Sequence, residues 1–191
     1  MASFYLLIEL LNIKRASLIY LFKHLFKHRL RVASPKDASA VEKVLKASYP
    51  ALMAVAYDEA VLTPVLKLIT QANISLLASG TYYVAESVDG LVVGCGGWSI
   101  EKPPGADDVG NGVGHLRHFG TSPAWVRRGI GRAIFRQCES NAKFANVKEL
   151  EVCSSLNAEQ FYAALGFERI KIISVAIGPN QFPSVLMRMS T

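Results

Sequence analysis

Cysteine is scarce in this chain of 191 residues: there are three, Cys95, Cys138 and Cys153. They are odd in number and far apart, form no C-x-x-C pair, and have no histidine at zinc-ligand spacing. A disulfide framework and a metal site are therefore not expected, and a reducing cytoplasm is the simplest compartment. Charge is sparse too. Charged residues make up 19% against 51% hydrophobic, which excludes an intrinsically disordered chain. Long apolar runs are missing. Near the N-terminus the uncharged stretches cover residues 1–8, 10–13 and 16–22, and none approaches the ~18 residues of a spanning helix. No basic region precedes them and no small-residue cleavage site follows, so a secretory signal is not expected. Repeats and low-complexity tracts are absent.

The charge that is present is unevenly placed. Lys and Arg number 21 against 15 Asp and Glu, a net of +6. Residues 1–31 hold six basic side chains and one acid, a net of +5, which leaves 15 basic and 14 acidic, a net of +1, for residues 32–191. The body is nearly neutral, so no nucleic-acid partner is expected. Segment 1–28 is apolar and basic, with Phe4, Leu7, Ile8, Leu11, Leu18, Phe22 and Leu25 at roughly helical spacing. Its apolar residues fall on nearly every face. That favours packing on its own domain or on a second subunit, a homodimer being one form of this, over contact with an anionic lipid surface.

The remainder reads as mixed α and β. A short strand is expected at 28–33. Ser34 is placed to cap, and Pro35 to open, a helix continued by Val41, Val44 and Leu45. A second helical stretch covers 57–71, with Pro64 expected to start, kink or break it. Strands at 81–87 and 91–100 flank Asp89-Gly90, a hairpin signal. Residues 102–114 read as a loop, followed by a strand at 115–121, a helix at 131–145, a strand at 147–154 and a helix at 157–165 stopped by Gly166. Strands at 168–177 and 182–189 close the chain. The fold class is α/β in the mixed α+β sense, with hairpins early and a β-α-β-α unit late.

One stretch carries chemistry: His115 to Arg132, HLRHFGTSPAWVRRGIGR. It passes from a strand through a proline turn and a glycine pair into a helix. Gly129 and Gly131 allow close backbone approach to a ligand. The first amides of the following helix have no intrahelical acceptor and face an anion favourably. Arg127, Arg128 and Arg132 add positive charge. No G-K-[ST] follows, so this is not a Walker A loop, and a third glycine is missing for a dinucleotide fingerprint.

Val126-Arg127-Arg128-Gly129-Ile130-Gly131 resembles the acetyl-CoA motif [QR]-x-x-G-x-[GA] of the GNAT N-acetyltransferase superfamily, with Val126 departing at the first position. Pro123 stands where family members often carry proline. A second block, Asn157 to Phe167 (NAEQFYAALGF), resembles the family's later motif, a tyrosine-bearing helix ending in Gly-Phe after a strand. The resemblance covers about 29–189, which gives a GNAT domain at 29–191 and an appended segment at 1–28.

The resemblance implies a central, mostly antiparallel sheet in which two parallel strands, 115–121 and 147–154, splay to hold the donor. It implies acetyl-CoA as cosubstrate without a metal. The diphosphate falls to the turn at Val126, Arg127, Arg128, Gly129, Ile130, Gly131 and Arg132. The pantetheine arm falls to the backbone of Phe119, Gly120 and Thr121, and to Asn157, which otherwise caps the last helix. Tyr162 occupies the place of the tyrosine that protonates the departing thiolate. His115 is the expected base. On a regular strand His118 faces the other way, and a bulge would exchange the two. Cys153, on the second splayed strand, is expected to be inert rather than an acyl carrier.

The resulting expectation is acetyl transfer to a primary amine of a small molecule or peptide by direct attack. Asp58, Glu59, Asp107 and Asp108, in the regions bordering the cleft, would suit a cationic acceptor. A non-catalytic acyl-CoA-binding module, and an interaction protein acting through residues 1–28, are the competing readings.

Overall fold

A computed structural model describes residues 27–103 and 112–191. Residues 1–26, and Asp107 and Asp108 within 104–111, lie outside the described residues, so the expectations attached to them are not addressed below.

The elements in chain order are β1 (His28–Val32), a 3-10 turn (Pro35–Asp37), α1 (Ala38–Met53), α2 (Glu59–Ile69), α3 (Ile74–Ala78), β2 (Tyr82–Ser87) and β3 (Val92–Ser99). They continue as β4 (Val113–Thr121), a 3-10 turn (Pro123–Trp125), α4 (Ile130–Phe144), β5 (Glu149–Ser155), a 3-10 turn (Leu156–Ala158), α5 (Glu159–Ala163), β6 (Glu168–Ile177) and β7 (Asn180–Ser190). The strands form one sheet in the order β1-β2-β3-β4-β5-β7-β6. Every neighbouring pair is antiparallel except β4–β5.

Local chemistry explains most boundaries. The entry to α1 is a reciprocal cap: the Ser34 amide donates to Asp37 Oδ2 at 2.8 Å, and the serine hydroxyl meets the same oxygen at 3.1 Å. Arg31 then grips Asp37 with both ends of its fork, at 2.9 and 2.6 Å. That grip holds the Asp37 carboxyl down at about 2. Asn73 caps α3, accepting from the Leu76 amide at 3.1 Å. This five-residue helix had no periodic signal in the sequence.

Pro64 neither starts nor breaks a helix; α2 runs through it from Glu59 to Ile69. Pro64 and Ala60, whose carbonyl the proline cannot satisfy, both lie on the exposed side. Water can take that acceptor while Leu62 and Val65 anchor the opposite face in the core.

Alternation along β2 divides the core in two. Tyr83 and Ala85 pack with α4 residues Ile130, Ile134 and Cys138. Tyr82 and Val84 pack with Val41, Leu45 and Tyr49 of α1 and Leu62 and Val65 of α2. Successive strand side chains point to opposite faces, so α4 covers one face of the sheet and α1 and α2 the other.

Candidate active site

The parallel strands β4 and β5 are paired only at their beginnings: Val113 with Glu149, Gly114 with Leu150, His115 with Glu151. Beyond His115 they continue to Thr121 and Ser155 without bridging. The V between them opens into a cleft of about 530 Å³. Its walls come from β4 (Leu116, Arg117, His118, Phe119), β5 (Val152, Cys153, Ser154, Ser155), Tyr49 and Met53 of α1, Leu68 and Ile69 of α2, Tyr162 of α5, and the β6–β7 turn around Ile177.

The V is closed at its foot by charge. Glu151 is fully buried and His115 is 4% exposed. Nδ1 of His115 stands 3.3 Å from Oε1 of Glu151, an ion-pair distance without the alignment of a hydrogen bond, and Oε1 has no other donor among the described residues. Oε2 accepts from Arg188 Nε of β7 at 2.9 Å. Burial pushes the His115 pKa below its ordinary value, against the pull of Glu151. His115, the expected base, is therefore placed behind the cleft wall and not on it.

His118 reaches the wall instead. Between the pairs Cys95–Gly120 and Gly97–Arg117, β4 spends three residue steps against two on β3. That is a β-bulge, and His118 takes φ 48° within it. A regular strand would turn His118 away; the extra residue breaks the alternation. Its carbonyl accepts from the Tyr82 hydroxyl at 2.9 Å, which pins the bulge from the α1 side. Burial first, then the charge of Arg117, lowers its imidazole to about 4, so it is neutral at pH 7.

Tyr162 of α5 also lines the cleft and is 6% exposed. Its ring sits edge-to-face with Phe119, Phe161 and Phe167 at 6.2, 5.0 and 5.6 Å. Burial keeps the phenol protonated well above its ordinary range. No hydrogen bond engages its hydroxyl among the described residues, so the O–H remains a donor on the cleft wall.

At the other end of the cleft-forming strand lies the glycine turn. Gly129 precedes α4 at φ 80° and Arg127 has φ 63°. The first intrahelical bond of α4 runs from Ala133 N to Gly129 O, so the amides of Ile130, Gly131 and Arg132 have no helical acceptor. Arg127, Arg128 and Arg132 are exposed around this end. Arg128 is steadied by the Ala124 carbonyl, at 3.2 Å, and by the face of Trp125.

A family model described as an acetyltransferase (GNAT) domain matches residues 57–190. The chain belongs to the GNAT acetyltransferase family. Solved structures share the GNAT fold. A GCN5-related N-acetyltransferase from Rhodopseudomonas palustris is 23% identical with a TM-score of 0.69, covering 85% of this chain and 95% of its own. The PaiA N-acetyltransferase from Thermoplasma acidophilum, solved with coenzyme A, is 15% identical with a TM-score of 0.64, covering 86% and 99%. The ribosomal-protein-S18-alanine N-acetyltransferase from Escherichia coli is 14% identical with a TM-score of 0.56, covering 86% and 94%. No curated protein sequence matches the chain.

The residues of this GNAT domain fit a coenzyme A donor. Besides the amides at the head of α4, Asn157 has a buried Oδ1 with no hydrogen-bond partner among the described residues. It lies in the turn before α5, whose N-cap is Ala158. Asn157 is therefore not the N-cap of α5, and an unpartnered acceptor at this place fits a ligand N–H. A Cβ on Gly131 would come within 3.0 Å of Phe161, which sets how closely α4 approaches α5. One expected contact is already taken, because the Thr121 amide donates to Ser48 Oγ of α1 at 3.3 Å. Phe119 lies opposite Gly96 at the bulge, and a Cβ on Gly120 would meet Leu45 at 2.9 Å.

Two residues that bear on the cleft had no signal in the sequence, one behind it and one on its wall. Tyr57 donates to the Pro183 carbonyl at 2.7 Å, accepts from the Leu156 amide at 2.8 Å, and stacks on Phe182 at 4.4 Å. It ties the α1–α2 connection to the ends of β5 and β7. Arg117 is the other. Asp58 and Glu59, the acids expected near the acceptor, are exposed at the start of α2 and do not line the cleft.

Proposed function

We propose that this chain moves an acetyl group from acetyl-CoA to a primary amine of a small molecule or peptide, by direct attack of the amine. The observation that carries the reading is the opened V of β4 and β5, with the Tyr162 hydroxyl, unengaged among the described residues, and the bulge at His118 both lining the cleft.

Acetyl-CoA supplies an activated thioester carbonyl. The amides at the head of α4, with Arg127, Arg128 and Arg132, hold its diphosphate. Asn157 Oδ1 takes an N–H of the pantetheine arm. Backbone at Phe119 and Gly120 orients the carbonyl and polarises it. As the new C–N bond forms and the C–S bond breaks, the Tyr162 O–H donates toward the leaving sulfur. The attacking nitrogen becomes strongly acidic at the same moment. A neutral imidazole then suffices to take its proton, even one held at about 4, and His118 fills this role directly or through water. His115 has a supporting part: with Glu151 and Arg188 it fixes the point where the V begins. Cys153 is not assigned an acyl-carrying role. The catalytic unit is residues 29–191, with 1–28 as an appendage.

The test is release of free CoA by the full chain across a panel of amines, amino acids and peptide N-termini. Turnover of at least one class well above background hydrolysis supports the reading. Tight CoA binding with no accepted amine overturns it in favour of a non-catalytic acyl-CoA-binding module.

A further inference from the structure

Among the described residues, the cleft walls are apolar except for small hydroxyls and a thiol, Tyr49, Tyr162, neutral His118, and one fixed charge. That charge is Arg117. No carboxylate lines the cleft among the described residues. Arg117 sits on β4 next to the bulge, and its guanidinium is half-buried. Nη1 donates to Ser99 Oγ at 3.0 Å and to the Glu101 carbonyl at 3.3 Å, which fixes the plane of the fork. Nε and Nη2 donate to no protein acceptor in the described residues. A partly desolvated guanidinium with three N–H groups unused is unfavourable by itself, and burial does depress its pKa. It becomes favourable when a planar anion fills the fork.

We propose that Arg117 anchors a carboxylate of the acceptor, so that the amine acetylated here belongs to an amino acid or a similarly compact amino carboxylate. This rests on the acetyl-transfer reading and names its substrate class. A polyamine or a lysine side chain would bring a second cation against Arg117, and Glu101, the described carboxylate whose charge reaches Arg117, does not line the cleft. Arg117 is two residues from Phe119, directly across the bulge at His118. A carboxylate in the fork therefore leaves the amine of the same small molecule within reach of the bulge, where the carbonyl is oriented. The apolar walls from Met53, Leu68, Ile69 and Ile177 suit an uncharged side chain.

The experiment compares amino acids with apolar side chains, such as leucine, methionine and phenylalanine, against their carboxamides, in the CoA-release assay with the full chain. The free acids are expected to exceed the amides at least 10-fold in kcat/KM. Arg117→Gln should lower kcat/KM for the acids about 30- to 100-fold and bring acid and amide to parity. Arg117→Lys, which keeps charge but loses the fork, should fall between. Equal use of acid and amide by the unaltered chain overturns the proposal, and so does an acid-to-amide ratio that Arg117→Gln leaves unchanged. A purely structural role, bracing Ser99 and the Glu101 carbonyl, would lower stability without moving that ratio. Calorimetric titration of N-acetyl amino acids and their amides into the CoA-loaded protein reads the same preference without turnover. Preferential binding of the acids, lost in Arg117→Gln, sustains the anchor even where the panel shows no acetylation, and thereby separates its fate from that of the enzyme reading. Equal binding of acids and amides refutes it. Should both Arg117 variants fail to fold, the ratios measured on the unaltered chain decide.

Discussion

Replacing Tyr162 by Phe removes one oxygen and little else. The ring is held by Phe119, Phe161 and Phe167 at 5.0–6.2 Å, and those contacts survive the change. The hydroxyl has no described protein partner, so its loss leaves no buried group unsatisfied. The stability change should stay within about 0.5 kcal/mol, the range of substitutions that break no named interaction. The effect on rate is larger. A hydrogen bond to a developing thiolate falls in the charge-assisted class, about 1.5–3 kcal/mol. At about 1.4 kcal/mol per factor of ten, that is roughly a 10- to 150-fold loss of kcat. It sits at or below the lower end of general-acid effects because a thiolate leaves readily near neutral pH. The dissociation constant for CoA should change less than two-fold, because the hydroxyl acts on the sulfur only as it departs. The assay is steady-state kinetics by CoA release, paired with calorimetry for CoA and a thermal melt. Burial holds the phenol protonated far above neutrality, so no basic limb from Tyr162 should interrupt the kcat profile up to pH 10. An unchanged kcat with a normal melt refutes the assignment of Tyr162 as the proton donor, and so does a loss that appears wholly in CoA affinity.

Three further outcomes are expected. Tyr57→Phe removes the hydroxyl that serves both Pro183 O and Leu156 N; urea unfolding should show a loss of about 2–3 kcal/mol, and calorimetry a Tm lower by roughly 5–10 °C, whereas a loss under 0.5 kcal/mol would contradict the bridging geometry. Asp37 has its folded pKa depressed to about 2, so its stabilisation is complete above about pH 4 and is lost as pH falls through 2. Asp37→Asn should therefore reduce stability at pH 7 by on the order of 2 kcal/mol and remove part of the acid slope seen in urea titrations between pH 4 and 2. His118→Asn should reduce kcat by about 10²-fold, while His115→Gln should lower the melting temperature and leave kcat at saturation within about three-fold. Reversal of that pair would return the base to His115.

How much of this was legible in the sequence follows from the range of the interactions. The hairpin at Asp89-Gly90, the reciprocal cap at Ser34 and Asp37, and the turn at Gly129 each depend on residues within a few positions of one another, and each stands where the residue types require. The splayed pair β4 and β5 was legible through the motif that joins them. What was missed depends on distant partners. Pro64 is accommodated because its side of α2 faces water, and α3 exists because Asn73 caps a segment held by Leu76 and Leu77 in the core. Tyr57 acts through partners 99 and 126 residues away.

The two histidines mark the boundary between the kinds of information. The sequence alone determined that a strand bearing His115 and His118 leads through a glycine turn into a helix, because strand propensity, glycine spacing and helix starts are local. Only the tertiary structure decided which histidine meets the cleft. Facing along a strand is set by cross-strand register, and one extra residue in β4 against β3, pinned by Tyr82 from another strand, breaks the alternation at His118. The same register carried His115 to the buried carboxylate of Glu151 and left Arg117 charged on a largely uncharged wall. Strand sequence specifies what each side chain is; the neighbours it pairs with specify where it points.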